Sequence, residues 1–372
     1  MSTDHHAGLE EVKAVPSSIS HIEGQSLSYR GISIEDLAAN SHYEEVVYLL
    51  WYGRLPGAKE LERMKSEISE YSQLPREIRE YINHIPRQVH PMTALRTLVS
   101  SLALYDHESD DLSKDANQRK AVSILARMPV LLTAFERHRK AKSSVLPKPE
   151  FSFAKNFLYM LWADEPDEVS SKALDLTLMM YAEHELNAST FVARTTAATM
   201  ADMYSAVTAA LATLKGSLHG GANQKAMEML LDIADPEDAE EWVKEKLSKK
   251  TRIMGFGHRV YKDGDPRVPI LRKLSKELCE LHGYEKYHKI AEQIEKTMQE
   301  TKKLHANVDL YSGLVFYALG VPTDMFTTVF AVARSAGWIA HVLEQYENNR
   351  LIRPRAEYTG KRNESYTPLD KR

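Results

Sequence analysis

The chain has 372 residues, 43% hydrophobic and 27% charged, with a formal net charge of −4. That composition is globular and not that of a disordered or membrane chain, and the slight acidity gives no general reason to bind nucleic acid or an anionic membrane. The length exceeds the ~250 to 300 residues at which single cores stop growing, which predicts two domains; the one cysteine, Cys279, excludes an internal disulfide and argues against a thiolate metal site.

The chain opens polar and acidic, with neither an apolar nor an Arg-rich targeting pattern, and His5 and His6 are too few for a metal tract. No later run reads as reaching transmembrane length, so a cytoplasmic protein is expected. Residues 17–30 alternate around Glu23-Gly24 and predict a short hairpin. After it the helical period takes over. Ser41-His42-Tyr43-Glu44 reads as a capping box opening a helix that ends at Gly53. Helices are predicted over 58–71, 75–85 and 91–105, and over 117–140 with a kink at Pro129, which removes an interior backbone donor.

The periodic stretch 168–181 runs into a break near Asn187, placing His184 beside a helix end. An alanine-rich stretch, 191–214, predicts one buried helix, at a subunit interface or in the centre of a monomer core. A second break, 215–223, puts His219 just ahead of a helix N-terminus, where free N–H groups favour anionic ligands or developing negative charge. Charged amphipathic helices follow over 236–249, 269–281 and 284–303. Between the first two lies a Gly/Asp/Pro loop with His258 behind Gly255 and Gly257 and ahead of Arg259, Lys262 and Arg267. Asn307-Val308-Asp309 opens an apolar stretch, and the last long helix, 324–347, carries Arg334. Convincing strands are confined to the first thirty or so positions, so the fold class is all-α with a short N-terminal β-hairpin.

His184, His219, His258 and Asp309 all stand at breaks between helices, where rigid elements can hold a group against a cleft. Taken singly, Asp309 reads as an N-cap and the histidines as turn residues; the conjunction is what points to chemistry. Glu183-His184-Glu185 lacks the His-Glu-x-x-His spacing of a zinc site, so no metal site is assigned. Gly255-x-Gly257 is followed by Val260 where a dinucleotide loop needs its third glycine. Acid/base chemistry by histidine and carboxylate remains. Arg267, Arg334 and Arg353 supply planar guanidiniums for carboxylates. Arg334 sits among apolar and small neighbours and needs an anionic partner, since an unpaired buried charge costs on the order of 3 to 5 kcal/mol.

These residues lie in five ordered motifs: His184-Glu-Leu-Asn-Ala-Ser-Thr, Lys215-Gly-Ser-Leu-His-Gly-Gly-Ala-Asn, Met254-Gly-Phe-Gly-His-Arg-Val-Tyr-Lys with Asp265-Pro-Arg, Asn307-Val-Asp, and Arg350-Leu-Ile-Arg-Pro-Arg. The chain resembles, over residues 8–360, the citrate synthases in their short bacterial and archaeal form. The resemblance implies a multihelical two-domain homodimer, with a large domain over 1–216 and 325–372 and a small mobile domain over 217–324. It implies condensation of acetyl-CoA with oxaloacetate, without a cofactor, and hydrolysis of citryl-CoA to citrate and CoA. By the same resemblance Asp309 matches the base, His219 the stabiliser of the enolate, and His258 the group that polarises and protonates the oxaloacetate carbonyl. His184, Arg267, Arg334 and Arg353 match the oxaloacetate set, Arg353 reaching the partner subunit's site. Gly255, Gly257, Lys262 and Asn307 match the CoA side. Ala306 departs from the proline that many relatives carry there. The alternatives are a 2-methylcitrate synthase using propionyl-CoA, and a catalytically silent or metal-binding helical scaffold.

Overall fold

The computed structural model describes residues 7–9 and 12–372; His5 and His6 lie outside them. Strands β1 (Ser20–Glu23), β2 (Ser26–Tyr29) and β3 (Ile32–Ser33) form one antiparallel sheet in that order. The expected hairpin is β1 and β2, pairing Ser20 with Tyr29 and Glu23 with Ser26, and β3 adds a strand that alternation did not reveal.

Helices then follow without interruption by further strands. They are α1 (Ile34–Asn40), α2 (Tyr43–Tyr52), α3 (Ala58–Tyr71), α4 (Arg76–His84), α5 (Pro91–Ser101), α6 (Lys114–Arg139), α7 (Phe153–Trp162) and α8 (Glu168–Tyr181). Next come α9 (Ala188–Ala197), α10 (Met203–Leu214), α11 (Ala222–Leu231) and α12 (Ala239–Ser248). The last are α13 (Val268–His282), α14 (Glu285–Lys302), α15 (Val308–Ala318) and α16 (Phe326–Glu347). The mostly helical class expected from the periodicity is the class observed.

Some boundaries differ for physical reasons. The single helix expected over 191–214 is two, α9 and α10, which pack on each other. Met200 takes a left-handed conformation (φ 64°) between them, and Asp202 caps α10 by accepting from the Ser205 N–H at 2.9 Å. The capping box at Ser41 does not form. Ser41 instead ends α1, and the Tyr43 N–H at the start of α2 donates to the Asp175 carboxylate of α8 at 3.2 Å. Helix α6 runs unbroken through Pro129.

Helix α16 is the axis of the core. It packs against α2, α6, α8, α9 and α10, with Val332, Trp338 and Ile339 fully buried. Contrary to expectation, the stretch Thr323–Glu347 is long and apolar enough to cross a membrane, but it is almost wholly enclosed by the protein, and its apolarity is that of a core helix. Helices α11 to α15 pack largely on one another, while α13 and α15 also touch α8. That contact brings the end of α8 to the loops preceding α13 and α15.

Candidate active site

The site is built on the end of α8 and the turn after it. A helix leaves its last four carbonyls without intrahelical partners and carries partial negative charge there. Two buried arginines use this end of α8: Arg267 Nη1 donates to the Met180 carbonyl (3.4 Å) and Arg334 Nε to the Tyr181 carbonyl (2.6 Å). Gly337, one turn beyond Arg334, donates its N–H to the Ala182 carbonyl at 3.1 Å. A Cβ at Gly337 would overlap Glu183 Oε2 and lie 2.5 Å from the Ala182 oxygen, so only glycine lets α16 come this close. Past the turn, His184 is buried with its ring centroid 5.1 Å from that of His258, and its Nε2 shares a hydrogen bond with the Tyr261 hydroxyl at 3.2 Å.

His219 is tied to the start of α9. The Ser189 N–H donates to His219 Nε2 (3.3 Å), with Ser189 Oγ 2.8 Å from the same nitrogen, and the Trp338 indole N–H donates to Ser189 Oγ at 3.1 Å. A backbone N–H only donates, so Nε2 accepts and the neutral ring carries its proton on Nδ1. In His258 the assignment is reversed. The N–H groups of Val260 and Tyr261 both donate to Nδ1 at 3.1 Å, which leaves the proton on Nε2.

A two-residue antiparallel bridge, Phe256 with Ala306, joins the His258 loop to the segment before Asp309. The Gly257 N–H donates to the His305 carbonyl and the Asn307 N–H to the Gly255 carbonyl, each at 2.9 Å. Neither bond uses the N–H of Ala306, so alanine in place of proline leaves the bridge intact. Gly255 and Gly257 both have positive φ (82° and 73°), and a Cβ on Gly255 would come within 2.9 Å of Leu310 Cβ. Asn307 clamps the junction, donating from Nδ2 to the Gly257 carbonyl (2.8 Å) and accepting the Asp309 N–H at Oδ1 (3.0 Å). The resemblance matched Gly255, Gly257 and Asn307 to CoA; in this structure the groups just named are engaged in holding the loop. Lys262 is exposed and donates to the Arg259 carbonyl at 3.2 Å.

The electrostatics divide the groups into neutral imidazoles and one raised carboxyl. Burial, reinforced by Arg334, brings His219 down to about 4; burial, then Arg267, brings His258 to about 4 as well. His184 is held well below the usual histidine range by burial and by Arg267 and Arg334. At neutral pH all three rings are uncharged. Asp309 moves the other way: burial, opposed by Arg267 and Arg334, pushes its carboxyl up to about 6, making its anion a stronger base than an ordinary aspartate. Arg267 forms a buried two-point pair with Asp265, Nε to Oδ1 at 2.9 Å and Nη2 to Oδ2 at 2.7 Å. Arg334 has no carboxylate within ion-pair distance among the described residues; its guanidinium lies 4.7 Å from the Phe330 ring centroid.

A family model, "Citrate synthase, C-terminal domain", matches residues 8–355. The chain belongs to the citrate synthase family. Citrate synthase 2 of Bacillus subtilis is 48% identical over 366 residues, covering 98% of each chain. 2-Methylcitrate synthase 2 of Corynebacterium glutamicum is 40% identical, covering 100% of this chain and 99% of its own. A solved ternary complex of citrate synthase from Thermoplasma acidophilum with carboxymethyl coenzyme A and oxaloacetate superposes with a TM-score of 0.92 at 34% identity, covering 98% of both chains. The family's fold therefore extends over 98% of this chain.

Within that fold, His184, His219, His258, Arg267, Arg334 and Asp309 are linked through the end of α8, the α9 start and the bridged loops. Arg353 is exposed in the tail after α16 and makes no hydrogen bond or ion pair with these six. Sequence reasoning gave no role to Ser189 or Asp265, although both lie inside quoted motifs, and weighed Glu183 only as part of a metal spacing. Among the described residues, no three His, Cys, Asp or Glu side chains converge to hold a metal.

Proposed function

We propose that this protein is a citrate synthase, condensing acetyl-CoA with oxaloacetate and hydrolysing the citryl thioester to citrate and CoA. The observation that carries the reading is one buried set, two neutral imidazoles with oppositely placed protons and a carboxyl raised to about 6, all within the field of Arg267 or Arg334. Asp309 removes a methyl proton from acetyl-CoA. His219 donates from Nδ1 to the thioester oxygen as negative charge develops there, and His258 donates from Nε2 to the oxaloacetate carbonyl and protonates it as the carbon–carbon bond forms. Neutral imidazoles suit both tasks, because an imidazolium beside Arg267 and Arg334 would be disfavoured and Asp309 would be a weaker base near it. His184, Arg267 and Arg334 hold oxaloacetate, and water finally attacks the citryl thioester carbonyl, releasing CoA as the thiol.

The same reading makes the protein a cytoplasmic homodimer. Residues 217–324 close as a small domain over the cleft to exclude water, and Arg353 serves the partner's site. Gly255, Gly257, Asn307 and Lys262 shape the CoA side, the first three by fixing the loop. No cofactor enters; acetyl-CoA is a substrate. Propionyl-CoA differs by one methylene, worth only ~1 to 3 kcal/mol of discrimination, so the two acyl donors must be compared directly. The test is CoA-thiol release from acetyl-CoA plus oxaloacetate without added metal. A silent or metal-binding scaffold predicts none.

A further inference from the structure

Arg334 is a buried cation with no ion pair among the described residues, and the carboxylate that most favours its charge is that of Glu183, a residue with no part in the proposed chemistry. Glu183 is fully buried and follows the two α8-end positions that accept from Arg334 and Gly337. Its Oε1 accepts from His341 Nε2 and from Ser20 Oγ, each at 3.0 Å, and its Oε2 has no hydrogen-bond partner. That oxygen lies against α16 at Gly337, whose missing side chain makes room for it. Arg334, Gly337 and His341 follow one another at helical spacing, so the carboxylate sits on the α16 face that carries Arg334.

Most of the other groups around Glu183 leave its charge unanswered. Arg194 Nη1 donates to His341 Nδ1 at 3.2 Å, and a guanidinium only donates, so the His341 proton is on Nε2 and the ring meets Glu183 as a neutral donor. Arg194 has its own carboxylate in Glu344, at 2.6 Å. Burial opposes the charge on Glu183, while Arg334 and the hydrogen bonds from His341 and Ser20 favour it. The carboxylate is therefore an anion whose field falls on Arg334.

We propose that Glu183 is a positioning residue that balances Arg334 when the site is empty and limits how tightly the site holds di- and tricarboxylates. The inference rests on the carboxylate-binding role assigned to Arg334 above. A fixed negative charge behind the guanidinium opposes a bound carboxylate, and opposes a tricarboxylate product more than a dicarboxylate substrate. Glu183 thus trades affinity for release of product, and removing its charge should tighten binding, where merely damaging the site would loosen it.

The experiment is oxaloacetate and citrate binding by calorimetry, with steady-state kinetics, on the full-length protein and on Glu183→Gln. The expected result is a fall in the Kd of oxaloacetate of about tenfold, a larger fall for citrate, a several-fold lower kcat and an acetyl-CoA KM within about twofold. An unchanged or weaker oxaloacetate Kd in a folded Glu183→Gln protein overturns the proposal. Should that variant fail to fold, Ser20→Ala decides. It removes one of the two donors that disperse the carboxylate charge, together with the bond from the Glu185 N–H to Ser20 Oγ (3.1 Å), from a half-buried strand position. A citrate Kd weakened by a larger factor than the oxaloacetate Kd, as a more strongly opposing charge requires, supports the proposal; equal weakening of the two, as damage to the site would give, or an unchanged or tighter Kd, overturns it. Absence of oxaloacetate binding by the unaltered protein would instead contradict the functional reading on which the inference rests.

Discussion

The role proposed for Asp309 as base requires its ionised form, and its carboxyl is pushed up to about 6, first by burial. His219 and His258, both near 4, stay neutral well below that pH. The kcat/KM for acetyl-CoA should therefore fall about tenfold per pH unit below about 6, a limb set by Asp309 alone, as a pH–rate profile would record. Asp309→Asn should lower kcat by roughly 10² to 10⁴. Loss of fold will not account for that drop. A carboxyl whose folded pKa exceeds its unfolded one contributes stability at low pH and loses it as pH rises through about 6, so the amide should be at least as stable at neutral pH by thermal unfolding.

The same linkage, away from the cleft, governs Asp175. Burial and the neighbouring Glu44 push its carboxyl up to about 8, although it accepts the Tyr43 N–H. The folded state binds this proton more tightly than the unfolded chain, so the stability it confers is complete at acid pH and lost between about 4 and about 8. Asp175→Asn keeps an acceptor for Tyr43 and removes the charge. Its melting temperature should exceed that of the unaltered protein at pH 8, with the gap closing toward pH 5; a gap that widens toward acid pH would contradict the assignment.

At the scale of elements, α16 can approach the α8 end only at Gly337. Gly337→Ala places a methyl group against Glu183 and the Ala182 carbonyl, an overpacking that costs ~1 to 3 kcal/mol. Because Arg334 lies one turn away, the variant should lose oxaloacetate affinity along with melting temperature; loss of stability alone would separate the two. The helical breaks were legible in the sequence because glycines, prolines and capping residues mark them, and they located His184, His219, His258 and Asp309. What escaped was set by tertiary contact. Met200 turns the chain between α9 and α10 without a glycine or proline, and α2 takes its N-terminal acceptor from Asp175, more than a hundred positions away. Ser189 and Asp265 act by aiming His219 and Arg267, and nothing in their local pattern distinguishes them from other capping and turn residues.

For the whole molecule, Arg353 is the one member of the proposed oxaloacetate set that the single chain leaves exposed, outside the cluster. The proposed service to a partner's site makes a specific prediction. Arg353→Ala and Asp309→Asn, each poorly active alone, should regain activity when refolded together, since half the sites of a mixed dimer escape both changes, giving about a quarter of full activity. No recovery on mixing would place Arg353 in its own subunit's site, and full activity of Arg353→Ala alone would place it outside catalysis.

The central claim is the condensation itself, and release of free CoA thiol by the purified protein tests it most directly. With acetyl-CoA and oxaloacetate together, and no added metal, thiol should appear in step with citrate, and kcat/KM should exceed that for propionyl-CoA by at least about tenfold. No thiol release, or a clear preference for propionyl-CoA, would contradict it.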